Sequence, residues 1–276
     1  MSDQGQNTEE PSPQMSFLGH LEELRWRLVR SAIAIIIVAV VVFIFTKEII
    51  ENLYLGMVKT DFISYRVMCK IGHTLGLEES MCVEQIKVEQ FIYTELTGQF
   101  NSNMYIAIVG GFIVAFPFIF YQMWGFVKPA LKERELSVSK GVMFWASLLF
   151  FLGVLFGYFL ISPLCVQFFG NYQMTPEFHT TPKGGSLINL VTTTTLLAGI
   201  FFELPVVIYI GTKLGLLTPE LLKKYRKHAI VIVLVMSALI TPPDVISQIM
   251  VAIPIMILYE SGIYVSKLVI RRKLEA

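Results

Sequence analysis

Charge is scarce in this chain, and the residues of metal and thiol chemistry are scarcer still: 16% of the 276 residues are charged, with 4 histidines and 3 cysteines. His20, His73, His179 and His228 are scattered over different regions, so their spacing builds no metal-ligand cluster. The sequence holds no H-E-x-x-H, no paired C-x-x-C and no phosphate-cradling glycine loop with a lysine. "GGSL" at 184–187 places Ser186 at a helix start, with no helix-borne histidine to activate it. These gaps predict a protein that is not an enzyme, with no cofactor and no metal. A formal net charge of +1 without a basic patch leaves no footprint for nucleic acid.

A cleavable signal peptide is lacking as well. The opening "MSDQGQNTEEPSPQMS" is polar, acidic and proline-containing, with neither a basic n-region nor a short apolar core. Residues 1–16 therefore read as a disordered tail ahead of one membrane domain, 17–276.

What the chain has is apolar length. Hydrophobic residues make up 54% of it. Apolar runs at about 28–46, 103–120, 141–162, 187–211, 229–241 and 245–264 predict an all-α integral membrane protein with six transmembrane helices. Lysine and arginine choose the orientation. Three fall between Arg25 and Arg30, 4 in 121–140, 5 in 212–228 and 4 after Val265, against 6 in the alternate loops. By the positive-inside rule both termini are cytoplasmic.

The last two helices are expected to be short. The fifth run, "AIVIVLVMSALIT", has 13 residues before "PPD". At 1.5 Å per residue it reaches about 20 Å against a hydrocarbon core of ~30 Å. Either the pair forms one re-entrant hairpin, or two short spans thin the membrane locally. The turn at Pro242, Pro243 and Asp244, with Gln248 just beyond, suits both: each proline lacks a donor, and Asp244 can cap the next helix.

The first outer loop, 47–100, carries amphipathic helical spacing in "TKEIIENLYLGMVK" and "EQIKVEQFIYTELTGQF", which predicts a folded helical cap. Cys69 and Cys82 lie in it on the oxidising side, either bridged or as separate apolar thiols, and Cys165 lies at the outer end of the third helix.

Carboxylates at membrane depth or at its edge are the remaining signal. Glu22 and Glu23 stand in "FLGHLEELRWRL", Glu133 and Glu135 in "FVKPALKERE", and Glu203 in the middle of "LLAGIFFELPVVIYIG". On a helix Leu18, Leu21, Leu24 and Leu28 share one face, which turns the acids, Arg25 and Arg27 elsewhere, and Glu23 can pair with Arg27 at i, i+4. A charged acid at mid-bilayer costs about 2.5–3.5 kcal/mol, so Glu203 must be protonated, shielded or facing a polar cavity. Pro205 deepens the polar notch by freeing the Phe201 carbonyl. Two readings of Glu203 stand: a structural hydrogen bond to a neighbouring helix, or a contact for a polar residue of a partner helix.

Four of these stretches carry a family resemblance. "FLGHLEELRWRL", "PFIFYQMWGFVKPALKERE" at 117–135, "FFELPVV" at 201–207 and "LITPPDVISQIMVAIPIMILYE" at 239–260 resemble, in order, TatC, the core subunit of the twin-arginine (Sec-independent) protein translocase. The resemblance implies a multi-pass protein of the bacterial cytoplasmic (inner) membrane. It would bind twin-arginine signal peptides of folded cargo at the cytoplasmic face. With single-span TatA- and TatB-type partners, and as a homo-oligomer within the complex, it would export that cargo on the proton-motive force. It also implies that Glu23 and Glu135 face the signal arginines, that Arg25, Arg27, Phe126 and Pro129 shape the same surface, and that Glu203 meets a partner helix. Glu133 and Arg134 stand where many relatives have a basic residue or histidine, so Glu133 either shares the role of Glu135 or competes for it. A carboxylate pair suits arginine because a guanidinium is a planar fork that it can meet bidentately. A proton-coupled solute carrier is the alternative, since it too would hold a mid-membrane glutamate and proline-broken helices.

Overall fold

In the computed structural model, residues 17–59, 62–75, 91–127, 139–172, 175, 183–240 and 245–274 are described. Lipid offers a backbone no hydrogen bonds, so long apolar runs satisfy their N–H and C=O groups within themselves as helices. The described residues are accordingly helical, with no strand among them beyond a lone parallel bridge between Ile92 and Lys183.

In chain order the helices are α1 (Phe17–Ile44), α2 (Thr46–Ile49), α3 (Leu55–Val58), α4 (Ile63–Leu75), α5 (Gly98–Val127), α6 (Ser139–Phe156), α7 (Ser162–Asn171), α8 (Gly184–Phe202), α9 (Leu204–Lys213), α10 (Pro219–Lys224), α11 (Arg226–Ile240) and α12 (Val245–Leu274). Widened π turns at Ile50–Tyr54 and Gly157–Ile161 join α2 to α3 and α6 to α7. The second has a visible cause. Pro163 has no N–H to give and its ring crowds the preceding turn, so the helix loosens there and the Ser162 hydroxyl takes up the Gly157 carbonyl at 2.9 Å.

Among the described residues, five segments are long and apolar enough to cross a bilayer: Leu21–Ile44, Gly98–Val127, Gly141–Asn171, Gly184–Lys213 and Gln248–Arg271. The fifth apolar run of the sequence forms α11, whose 15 residues rise about 22 Å. The expectation that the last two helices are both short needs correcting. The final helix, α12, has 30 residues. Nothing in "YVSKLVIRRKL" stops a helix, and its leucines, lysines and arginines propagate one, so α12 continues well past its apolar run. Pro254 is accommodated inside it.

Packing follows the rule for helices in lipid, where small residues let backbones approach. α1 lies along α5, and α6 lies along α8. A Cβ on Gly111 would stand 2.9 Å from the Ala39 backbone, and one on Gly153 would stand 2.7 Å from the Ala198 carbonyl oxygen. Any side chain at either position would part its helix pair.

A hydroxyl network ties the helices after α1 to α8. The Tyr54 hydroxyl meets Thr192 Oγ1 at 2.6 Å, Tyr105 meets Thr193 at 2.8 Å, and Ser162 meets Thr194 at 2.8 Å. Burial pushes the Tyr54 phenol above its ordinary range, with the Thr192 hydrogen bond pulling the other way, so it keeps its proton. Cys69, in α4, is disulfide-bonded. Cys82, its expected partner, lies outside the described residues, as does the tail 1–16.

Candidate functional site

The polar end of α1 meets the end of α5. Arg27 donates from Nε (3.0 Å) and Nη2 (2.5 Å) to the same carboxylate oxygen, Glu23 Oε1, and from Nη1 to the Gln122 carbonyl at 3.3 Å. One turn on, Ser31 donates back to the Arg27 carbonyl at 2.9 Å. The i, i+4 spacing brings Glu23, Arg27 and Ser31 into one stripe, as the sequence leads one to expect for the first two.

The direction of that stripe is the surprise. Leu21 and Leu28 are about half exposed, whereas Glu23 and Arg27 are mostly covered and Ser31 is buried. In water the leucines would turn inward. In lipid a leucine is at home outside, and it is the polar stripe that needs protein partners.

Gly125 completes the seat. A side chain there would run into the Arg27 guanidinium, so the bare backbone of α5 is what lets Arg27 lie flat against it. Gln122, itself buried, supplies the carbonyl. Neither residue stood out in the sequence, although a lone glycine near a helix end is a signal of close approach.

The remaining oxygen, Glu23 Oε2, is buried and has no hydrogen-bond partner among the described residues. A carboxylate keeps four acceptor positions, and here the half facing away from Arg27 is unused. Leaving it so costs the desolvation of a charged acceptor, which a guanidinium placed there would recover.

Of the other expected site residues, Glu22 and Arg25 are exposed, with the Arg25 guanidinium 5.9 Å over the ring of Trp26. Phe126 is half-buried at the end of α5. Pro129, Glu133, Arg134 and Glu135 lie outside the described residues.

Glu203 stands on different elements, at the break between α8 and α9. Its N–H closes the last turn on the Ile200 carbonyl (3.1 Å), and its own carbonyl accepts from Val206 (3.0 Å) and Val207 (2.9 Å). Pro205 makes the break, because it cannot bond back to Phe201. The side chain is buried, and both carboxylate oxygens lack a partner. Among the described residues, Glu203 therefore makes no side-chain hydrogen bond to a neighbouring helix.

Of the two-helix turn, Pro242, Pro243 and Asp244 lie outside the described residues, while Gln248 donates from Nε2 to the Leu234 carbonyl at 3.0 Å and so ties α12 to α11. An ion pair that sequence reasoning missed joins the same helices, Arg226 Nη2 to Glu260 Oε2 at 2.5 Å. The residues are 34 apart, and only the fold brings them together.

Comparison with known proteins gives one answer. The family model described as "Sec-independent protein translocase protein (TatC)" matches residues 19–254. The chain is 37% identical over 263 residues to the "Sec-independent protein translocase protein TatC" of Blattabacterium sp. subsp. Periplaneta americana, covering 94% of this chain and 98% of that one. It is 36% identical over 262 residues to the protein of the same name in Aquifex aeolicus, covering 95% and 98%. Among solved structures, the crystal structure of the "Twin Arginine Translocase Receptor" TatC superposes with a TM-score of 0.69 at 34% identity, covering 90% of this chain and 98% of that one.

Proposed function

The chain belongs to the TatC family, a multi-pass component of a Sec-independent translocase of the bacterial inner membrane, and from that premise we propose that it reads the paired arginines of signal peptides on folded cargo. Membership of this family sets aside the solute-carrier alternative. The reading takes both termini as cytoplasmic, six spans with α11 as the fifth, and the segment 47–100 as a helical cap on the far side. It treats 17–276 as one translocating domain behind the tail 1–16.

One observation carries the proposal: Glu23 spends a single oxygen on Arg27 and holds the other buried and unused at the membrane edge. Arg27 acts as a strut that keeps this carboxylate aimed. A signal-peptide guanidinium would complete it, with Glu135 taking the second arginine and Phe126 and Pro129 shaping the wall. Glu203, buried with both oxygens free, is the contact for a polar side chain on a TatA- or TatB-type helix. The proton-motive force then drives export through a complex containing several copies of this chain.

Photo-crosslinking tests it. A twin-arginine peptide carrying a photoreactive residue beside its arginines should label residues 20–27 and 126–135 in native membranes. A twin-lysine peptide should label them far less. Equal labelling by both, or labelling confined to other regions, would refute the assignment.

A further inference from the structure

Two long helices of this protein begin at the same place. α5 starts at Gly98 and α8 at Gly184, and the segments leading into them are joined. The Gly184 N–H donates to the Ile92 carbonyl at 3.1 Å, and Ile92 is bridged to Lys183. Between the two starts lies a pocket of about 220 Å³, well above the ~30 Å³ that one water occupies. The groove flanked by Ile230, Ile249 and Ile253 is walled largely by aliphatic side chains. This pocket is different, with Asn101, Ser102, Lys183 and Ser186 on its walls.

A helix start carries unclaimed N–H groups and the positive end of the macrodipole, worth about half a charge. In α8 the Gly184 N–H goes to Ile92 and those of Ser186 and Leu187 to the Lys183 carbonyl, which leaves the Gly185 N–H. In α5 the Gly98 N–H goes to Glu95 and that of Asn101 to Thr97, which leaves those of Gln99 and Phe100. Two such starts border this one pocket, and each adds a partial positive charge beside it.

The Ser102 hydroxyl is the independent sign of a ligand. Ser102 is only 8% exposed, and its hydroxyl, which opens onto the pocket, makes no hydrogen bond among the described residues. Its Oγ lies 3.6 Å from where a Gly185 Cβ would stand, so it points across the pocket at the start of α8. The ring of Tyr93 closes one side; a Cβ on Gly184 would come within 2.7 Å of it. Lys183 brings a full positive charge to the mouth, and Glu95 on the rim opposes it.

We propose that this pocket binds a phosphate oxyanion, supplied by a phospholipid headgroup or as free phosphate. α5 and α8 each open a membrane-crossing segment here, so the pocket lies where those segments leave the bilayer, at the opposite end of α5 from Gln122. Donors then surround the anion from two directions: the Gly185 N–H and Ser186 hydroxyl of one helix, and the Ser102 hydroxyl and Asn101 amide of the other. The Lys183 ammonium adds a charge-assisted bond.

Thermal unfolding of the purified full chain tests this with three probes: dioctanoyl phosphatidylglycerol, dioctanoylglycerol and inorganic phosphate. A phosphate-bearing probe should raise the melting temperature beyond the effect of dioctanoylglycerol. Lys183→Gln and Ser102→Ala should each weaken that binding about tenfold, and Glu95→Gln should tighten it. Stabilisation by the phospholipid alone assigns the site to a headgroup; stabilisation by inorganic phosphate as well assigns it to free phosphate. If neither outdoes dioctanoylglycerol, or if Lys183→Gln binds as the parent does, the pocket is no anion site. Should Ser102→Ala fail to fold, Lys183→Gln, which alters an exposed side chain, decides alone.

Discussion

Arg27 holds Glu23 by one oxygen only: two of its nitrogens converge on Oε1, at 3.0 and 2.5 Å, and Oε2 stays buried without a partner. The pair is asymmetric, and the asymmetry sets what each substitution should do.

Glu23→Ala should weaken twin-arginine peptide binding by about 1.5–3 kcal/mol, the worth of a charge-assisted hydrogen bond, while the fold survives on apolar packing. Glu23→Gln should fall between Ala and the parent, because an amide oxygen still accepts. Glu135→Lys should be worse than Glu135→Ala, since it adds repulsion to loss. Titration of a labelled peptide against detergent-solubilised protein measures all four. Parent-like affinity in both alanine variants would make these acids mere surface charges and turn attention to Glu22 and Glu133.

Glu203→Ala should leave peptide crosslinking intact and reduce copurification with single-span partners. Its carboxylate is buried at the α8–α9 break, on elements other than those that carry Glu23. Glu203→Gln should be milder, because an amide can hydrogen-bond where a protonated acid does. Lost peptide binding with retained partners would reverse the assignment.

Lengthening α11 by four leucines before Thr241 should add about 6 Å and bring this 15-residue helix close to the bilayer thickness. Export should fall if the short helix thins the membrane for transport. Export at the parental rate, with the lengthened protein present at normal abundance, would show that thinning serves no function.

Tyr54 and Thr192 offer a clean double-mutant cycle. Their hydroxyls meet at 2.6 Å inside a buried network. Tyr54→Phe and Thr192→Val should couple by about 0.6 kcal/mol, the usual worth of a polar contact between membrane helices. Thermal melts of the two single variants and the double variant measure it, and additive effects would mean that the bond holds nothing.

How much of this was legible beforehand depends on the solvent assumed. Apolar length located each long helix among the described residues, because lipid demands a helix wherever a run is long enough. It could not end α12, since the residues after Val265 propagate a helix whether or not they lie in lipid. The sequence put the leucines and the Glu23–Arg27 stripe on different faces but left open which of the two is covered, and that depends on whether the solvent is lipid or water. The pairing itself was visible as i, i+4, whereas its seat on Gln122 and Gly125, about 95 residues away, needed the fold. The run "TTTT" at 192–195 was in plain view, but its partners Tyr54, Tyr105 and Ser162 come from three other elements.

The reliance of α1 on α5 has a consequence for synthesis. Ile33, Ile36, Ile37, Val40 and Val41 face outward, and the close approach of α1 is to Gly111. About eighty residues separate the end of α1 from the end of α5, so at roughly 5–20 residues per second the first helix waits for some 4–16 s before its neighbour is complete. During that interval the Glu23–Arg27 pair has no Gln122 carbonyl to lean on, and α1 can be pulled away or bound by other membrane factors. A nascent chain arrested before residue 111 should therefore leave α1 open to extraction or crosslinking, and one arrested after residue 127 should protect it.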